Sequence, residues 1–265
     1  MGAHRSHMRR TLLTAGLALA SGRLSPSALA APPALLLAGE PLPPFTFEQG
    51  GRPAGLHWEL CEHVMRELGQ PVRWALMPWR RALMDLSMGQ LGGIIGTTRG
   101  HMNEREAQMV FSEEPLSHVS NHFVSLSERP VRFDGLFTLR GLRVAVLGGY
   151  QHSPDFMAAP YFYRQSAFNH AQCLRMLLIG RVDVALVDLA ATRYFIHAEG
   201  LRERLLIDPE PYGSGRLLLG LSRSDAHAEL MRRFDDALRR FKRERAYVLM
   251  LERYGLKRAD VEARS

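Results

Sequence analysis

Two stretches of this chain repeat one pattern. An apolar-faced helix ends at a glycine, two positions follow, and a short apolar strand then closes on a polar side chain. Gly89 to Thr97 is the first instance and Gly180 to Asp188 the second, at the same internal spacing. A short continuous run of apolar residues bounded by turn signals suits a strand buried on both faces, as in a parallel sheet covered by helices. Thr97 and Asp188 then fall at the C-terminal ends of equivalent strands, where open α/β sheets collect their ligands.

The surrounding segments extend the pattern. Ala34–Ala38 is a short apolar run closed by Gly39, and Pro41 to Phe45 is a rigid link that cannot be helical. Leu56, Leu60, Cys61, Val64 and Leu68 recur at helical spacing before Gly69, and Arg73–Met77 reads as a strand. Pro78 opens a helix from Trp79 to Leu86 and Leu91–Gly96 is the next strand, so this part is β-α-β-α-β. The order restarts with the strand Leu142–Leu147. A helix capped by Asn169 carries Cys173, Leu174, Leu177 and Leu178, and the strand Val182–Val187 follows. Two extended segments, His122–Ser127 and Leu217–Leu221, flank this second unit. The expected fold is α/β with two lobes joined by a double hinge. Amphipathic helices marked by Leu230, Phe234, Leu238 and Phe241, then by Tyr247, Leu251 and Tyr254, are expected to pack back on the first lobe.

Charge tests one class of function. With 34 basic residues against 27 acidic, a formal charge of +7 and a pI near 9.9, the chain invites a nucleic-acid reading. The distribution argues against it. Residues 1–30 hold Arg5, Arg9, Arg10 and Arg23 and no acid, around the apolar run Thr11–Ala20 and the small-x-small pattern Ala28-Leu29-Ala30. A basic start, a short apolar run and such a site make a secretory signal peptide, cleaved near Ala30, with the true start at Met1 or Met8. The remaining excess sits on residues 223–265, and no basic stripe interleaved with aromatics is present. Two cysteines, Cys61 and Cys173, exclude a disulfide framework and are expected to stay reduced thiols. No C-x-x-C or H-E-x-x-H spacing occurs, so neither a metal nor a cofactor is expected.

Five stretches stand out in order along the chain. They are Pro43-Pro44-Phe45 with Gly55-Leu56, then Pro78-Trp79-Arg80-Arg81-Ala82-Leu83 with Leu86 and Gly89. Asn103-Glu104-Arg105-Glu106 followed by Phe111-Ser112-Glu113-Glu114-Pro115 is the third. Leu139 to Val146 with Gly149, and Gly180 to Asp188, complete the set. Together they resemble the periplasmic solute-binding proteins, family 3, of polar-amino-acid ABC importers, and the resemblance covers roughly residues 34–222. It implies the type II periplasmic binding fold, with a ligand cleft between two lobes. Lobe 1 would be residues 31–123 and 218–265, with lobe 2 at 124–217. It also implies closure on a small amino-acid-like solute, delivery to an ABC permease in the inner membrane, a periplasmic location and action as a monomer. Departures stand at Leu42, His57-Trp58-Glu59 and Gly92, and they point to a divergent solute.

Site residues follow from chemistry and resemblance together. Arg105 lies six residues before Phe111, where the family arginine grips a carboxylate, and a guanidinium matches that group bidentately. Asp188 is placed to hold an ammonium, and it is equally suited to cap a following helix from Leu189 to Phe195. Thr97 and Thr98 offer hydroxyls, and Tyr150 and Gln151 follow a lobe-2 strand where backbone amides can complete an anion site. Trp79 and Phe45 either line the cleft or belong to the core, and Glu40 is a candidate for a cationic side chain. No catalytic residue is expected. The alternatives are a periplasmic enzyme like the cyclohexadienyl dehydratases, which resemble the same fold, and a sensor that presents its solute to a membrane receptor.

Overall fold

The computed structural model describes residues 32–99, 107–148, 152–201 and 203–262. The expected strands and helices are present, with one main sheet ordered β4 (72–76), β1 (35–39), β5 (93–97), β12 (213–222), β7 (117–126), β10 (184–188), β8 (143–147), β9 (163–167). On the first side stand β1 (Leu35–Gly39), β4 (Val72–Leu76) and β5 (Gly93–Thr97), mutually parallel. On the other stand β8 (Arg143–Leu147), β9 (Tyr163–Ala167) and β10 (Val184–Asp188), also parallel. Between them run two ten-residue strands, β7 (Ser117–Leu126) and β12 (Gly213–Ser222). These are the extended segments of the sequence, longer by several residues than their apolar runs. Small strands β6 (Met109–Phe111) and β11 (Leu205–Ile207) pair with β12 and β7, and β2 (Phe47–Gln49) and β3 (Arg52–Ala54) form a separate hairpin.

In each parallel set the inner strands are buried on both faces, while β4 and β9 at the edges are mostly half-buried or exposed. In β8 and β10, Val144, Val146, Val184 and Leu186 pack on one side with Phe123 and Phe156. Ala145, Leu147, Ala185 and Val187 pack on the other with Cys173, Leu177 and Phe195. This two-residue alternation explains why the strands read as unbroken apolar runs. The helices supply the cover: α1 (Leu56–Glu67), α2 (Trp79–Ser87), the short α3 (Pro154–Ala158), α4 (His170–Leu178) and α5 (Leu189–Glu199). After β12 come α6 (Asp225–Phe241), α7 (Arg245–Arg253) and the single turn α8 (Arg258–Val261). Leu230, Phe234, Leu238, Phe241, Tyr247 and Leu251 share one core with Leu60 and Val64 of α1, Leu37 of β1 and Ile95 of β5. Full burial of each such side chain is worth about 1.5–3 kcal/mol, against about 1 kcal/mol for a typical helix cap.

The repeated glycines have a local reason. Gly89 and Gly180 have φ of 70° and 69°, and each closes a helix in the left-handed conformation that side chains resist. Asp183 forms an ion pair with Arg143 at 2.8 Å and also accepts the Arg143 amide, which fixes the turn into β10.

Candidate functional site

The strand register builds a gap. β5 is antiparallel to β12 and ends with Thr97 opposite Leu218. β10 is antiparallel to β7 and ends with Asp188 opposite Asn121, which in turn pairs with Gly213. The two parallel sets therefore approach the centre with their C-terminal ends leading, from opposite directions. From Leu218 to Gly213 the chain covers about 17 Å at strand rise. Across that interval, among the described residues, only 117–121 of β7 and 213–217 of β12 continue the main sheet. This is where ligands of open α/β sheets collect.

Asp188 is 1% exposed. Its Oδ1 accepts the Ala191 amide at 2.9 Å and caps α5, while Oδ2 accepts the Ser120 amide of β7 at 3.1 Å. Burial pushes its pKa up to about 6, against the pull of those two amides and of Ala190 and Leu189. The helix N-terminus favours the anion, and desolvation opposes it. Around it, His122 Nε2 meets Ser120 Oγ at 2.7 Å and His122 Nδ1 donates to the Asp208 carbonyl at 2.8 Å. His170, buried and pushed down to about 4, accepts the Asp188 amide at 3.4 Å.

At the first-lobe edge, Thr97 is 1% exposed and its Oγ1 has no hydrogen-bond partner among the described residues. Thr98, Glu40 and Trp79 are half-buried at the ends of β5 and β1 and at the start of α2. Phe45 is wholly buried and stacks on His57, with ring centroids 4.5 Å apart, so it belongs to the core. Arg105, Tyr150 and Gln151 lie outside the described residues.

Sequence reasoning did not find His57, Ser117, Ser120, His122 or His170 as neighbours of this gap. A histidine at the start of α1 was the one local signal. His57 Nε2 lies 2.8 Å from Ser117 Oγ, which superficially suits a nucleophile and its base. Both are buried, and burial with the nearby Lys242 pushes His57 down to about 3. Such an imidazole is a poor base near neutrality, so the pair serves as a tie between α1 and the first hinge strand. Two cavities lie elsewhere. One of about 560 Å³ is lined by Arg193, His197, Leu205 and Lys257 among others, and one of about 380 Å³ by Trp58, Glu59, His63 and Arg253 among others. Among the described residues, no group of three His, Cys, Asp or Glu side chains is placed to hold a metal.

Two opposed parallel sets joined by two long antiparallel strands define the type II periplasmic binding fold. The chain belongs to the bacterial extracellular solute-binding proteins, family 3, whose model matches residues 36–257. Solved structures agree. A mutant of the arginine-binding protein ArgBP from T. maritima is 22% identical over 83% of this chain and 94% of that one, with a TM-score of 0.66. A histidine kinase sensor domain with similarity to periplasmic binding proteins is 23% identical over 83% and 95%, with a TM-score of 0.64. An ancestral amino acid-binding protein, a precursor of cyclohexadienyl dehydratase, is 19% identical over 83% and 95%, with a TM-score of 0.65. Likeness at this identity carries the fold and not the ligand. No curated protein sequence matches the chain.

Proposed function

We propose that this protein is the periplasmic solute-binding component of an ABC importer, holding a small amino-acid-like solute in the gap between its lobes. The observation that carries the reading is the register that brings Thr97 and Asp188, the last residues of β5 and β10, to opposite sides of one gap. The solute's ammonium pairs with Asp188 and its carboxylate with Arg105, assisted by Thr97, Thr98 and the segment of Tyr150 and Gln151. Trp79 and Glu40 line the first-lobe side. Lobe 1 comprises 31–123 and 218–265, lobe 2 comprises 124–217, and residues 1–30 are a leader removed on export. Closure is a population shift, driven by contacts that only the closed form makes.

Calorimetric and thermal-shift screening of amino acids, opines and amines tests this. Binding of one such solute, lost in Arg105→Ala, is the expected result. Undiminished affinity in that variant would sink the carboxylate assignment. Turnover of prephenate or arogenate would replace the binder with a dehydratase-like enzyme.

A further inference from the structure

The second-lobe edge of the gap carries an aromatic side chain that the proposed site leaves unused. Phe168 directly follows β9 and is 96% exposed, the most exposed of the large apolar residues described. Its mount is ordered. Gly148 donates its amide to the Ala167 carbonyl at 2.9 Å, the Phe168 amide donates to Gln172 Oε1 at 2.7 Å, and Asn169 Oδ1 caps α4 by accepting the Gln172 amide at 2.8 Å. Phe168 is therefore presented by a strand-to-helix joint bonded on both sides. Leaving a phenylalanine in water forgoes the gain of burying its ring.

Its place in the sheet separates it from other exposed apolar side chains of this lobe. Tyr163 begins β9 and Ile179 follows the end of α4, so both sit at the far end of the strands. Phe168 sits at the C-terminal end, on the edge that carries Asp188. β9 is two strands from β10, a separation of about 10 Å. A solute whose ammonium lies at Asp188 meets Phe168 only through a long side chain. An aromatic face takes a flat group best, either a guanidinium or another ring.

We propose that Phe168 is a specificity-determining residue, the second-lobe wall that receives the flat end of a long amino-acid side chain. This rests on the cleft reading given above. The rank order of solutes then follows from reach: long flat side chains gain this contact, and short ones bind through their backbone charges alone.

The test is calorimetry on wild type, Phe168→Ala and Phe168→Tyr with L-arginine, L-tryptophan and L-alanine as probes. Wild type is expected to bind arginine or tryptophan more tightly than alanine. Phe168→Ala should weaken the favoured probe about tenfold, leave alanine unchanged and keep the thermal midpoint, while Phe168→Tyr restores affinity. Unchanged affinity for the favoured probe in Phe168→Ala overturns the inference alone. So does an equal loss for alanine, which marks a contact between lobes, or wild-type binding of alanine as tight as the other two. Failure of wild type to bind any of the three overturns the amino-acid reading and this inference with it.

Discussion

Asp188 and Ser120 are joined across neighbouring strands: Asp188 Oδ2 accepts the Ser120 amide at 3.1 Å while Oδ1 caps α5 through Ala191. One carboxylate thus ties the first turn of a second-lobe helix to a strand that runs between the lobes.

Replacing Asp188 with alanine removes both bonds. Loss of a cap and of a second amide acceptor should cost about 2 kcal/mol, read as a lower urea midpoint. Asp188→Asn keeps one acceptor and discards a charge that is costly to bury, so its stability should stay within about 1 kcal/mol of wild type. Solute affinity should fall in both variants. An Asp188→Asn protein with wild-type affinity would show that the residue only caps.

Acid should weaken the fold through its histidines. His57 and His170 have folded values of about 3 and about 4 against the ordinary 6.5, so below 6.5 the unfolded chain binds protons that the fold does not. Their contribution is present above 6.5 and lost as pH falls. Asp188, raised from 3.8 to about 6, acts in the opposite sense, its contribution being present below 3.8 and lost as pH rises through 6. Two groups outweigh one, leaving a net slope of about 1.4 kcal/mol per pH unit between pH 6 and 4 from these three. His57→Gln should nearly cancel that slope. Urea midpoints at about pH 5 and about pH 6 check it, and an equal slope in the variant would refute the assignment to His57.

Gly55 admits no side chain. Its φ is 117° and a Cβ there would stand 2.4 Å from the Phe45 carbonyl oxygen, while its amide donates to the Tyr254 hydroxyl at 2.8 Å. Gly55→Ala should cost more than about 2 kcal/mol, measured by denaturant unfolding. A wild-type midpoint would mean that the link into α1 relaxes freely.

Cys61 and Cys173 are free and buried in separate cores, and burial raises both thiols, Cys173 to about 12. A thiol reagent should label neither in the native protein and both in denaturant. Detection of a Cys61–Cys173 bond by mass spectrometry would contradict this arrangement.

The order of strands and helices, the glycine stops at Gly89 and Gly180 and the two central extended segments follow from periodicity and backbone sterics, both local properties that a single sequence carries. Asp188 was legible as a cap and as a charge at a strand end for the same reason. Its bond to Ser120 was not, because antiparallel register is a long-range choice made when both faces of the sheet are buried together. The same holds for Phe45, which local pattern left between cleft and core until His57 stacked on it, and for Ser117, whose partner lies on another element. The sequence by itself determined which elements form and which side chains close their strands. Tertiary structure alone decided which side chains meet across the sheet, since burial and pairing depend on residues far apart in the chain.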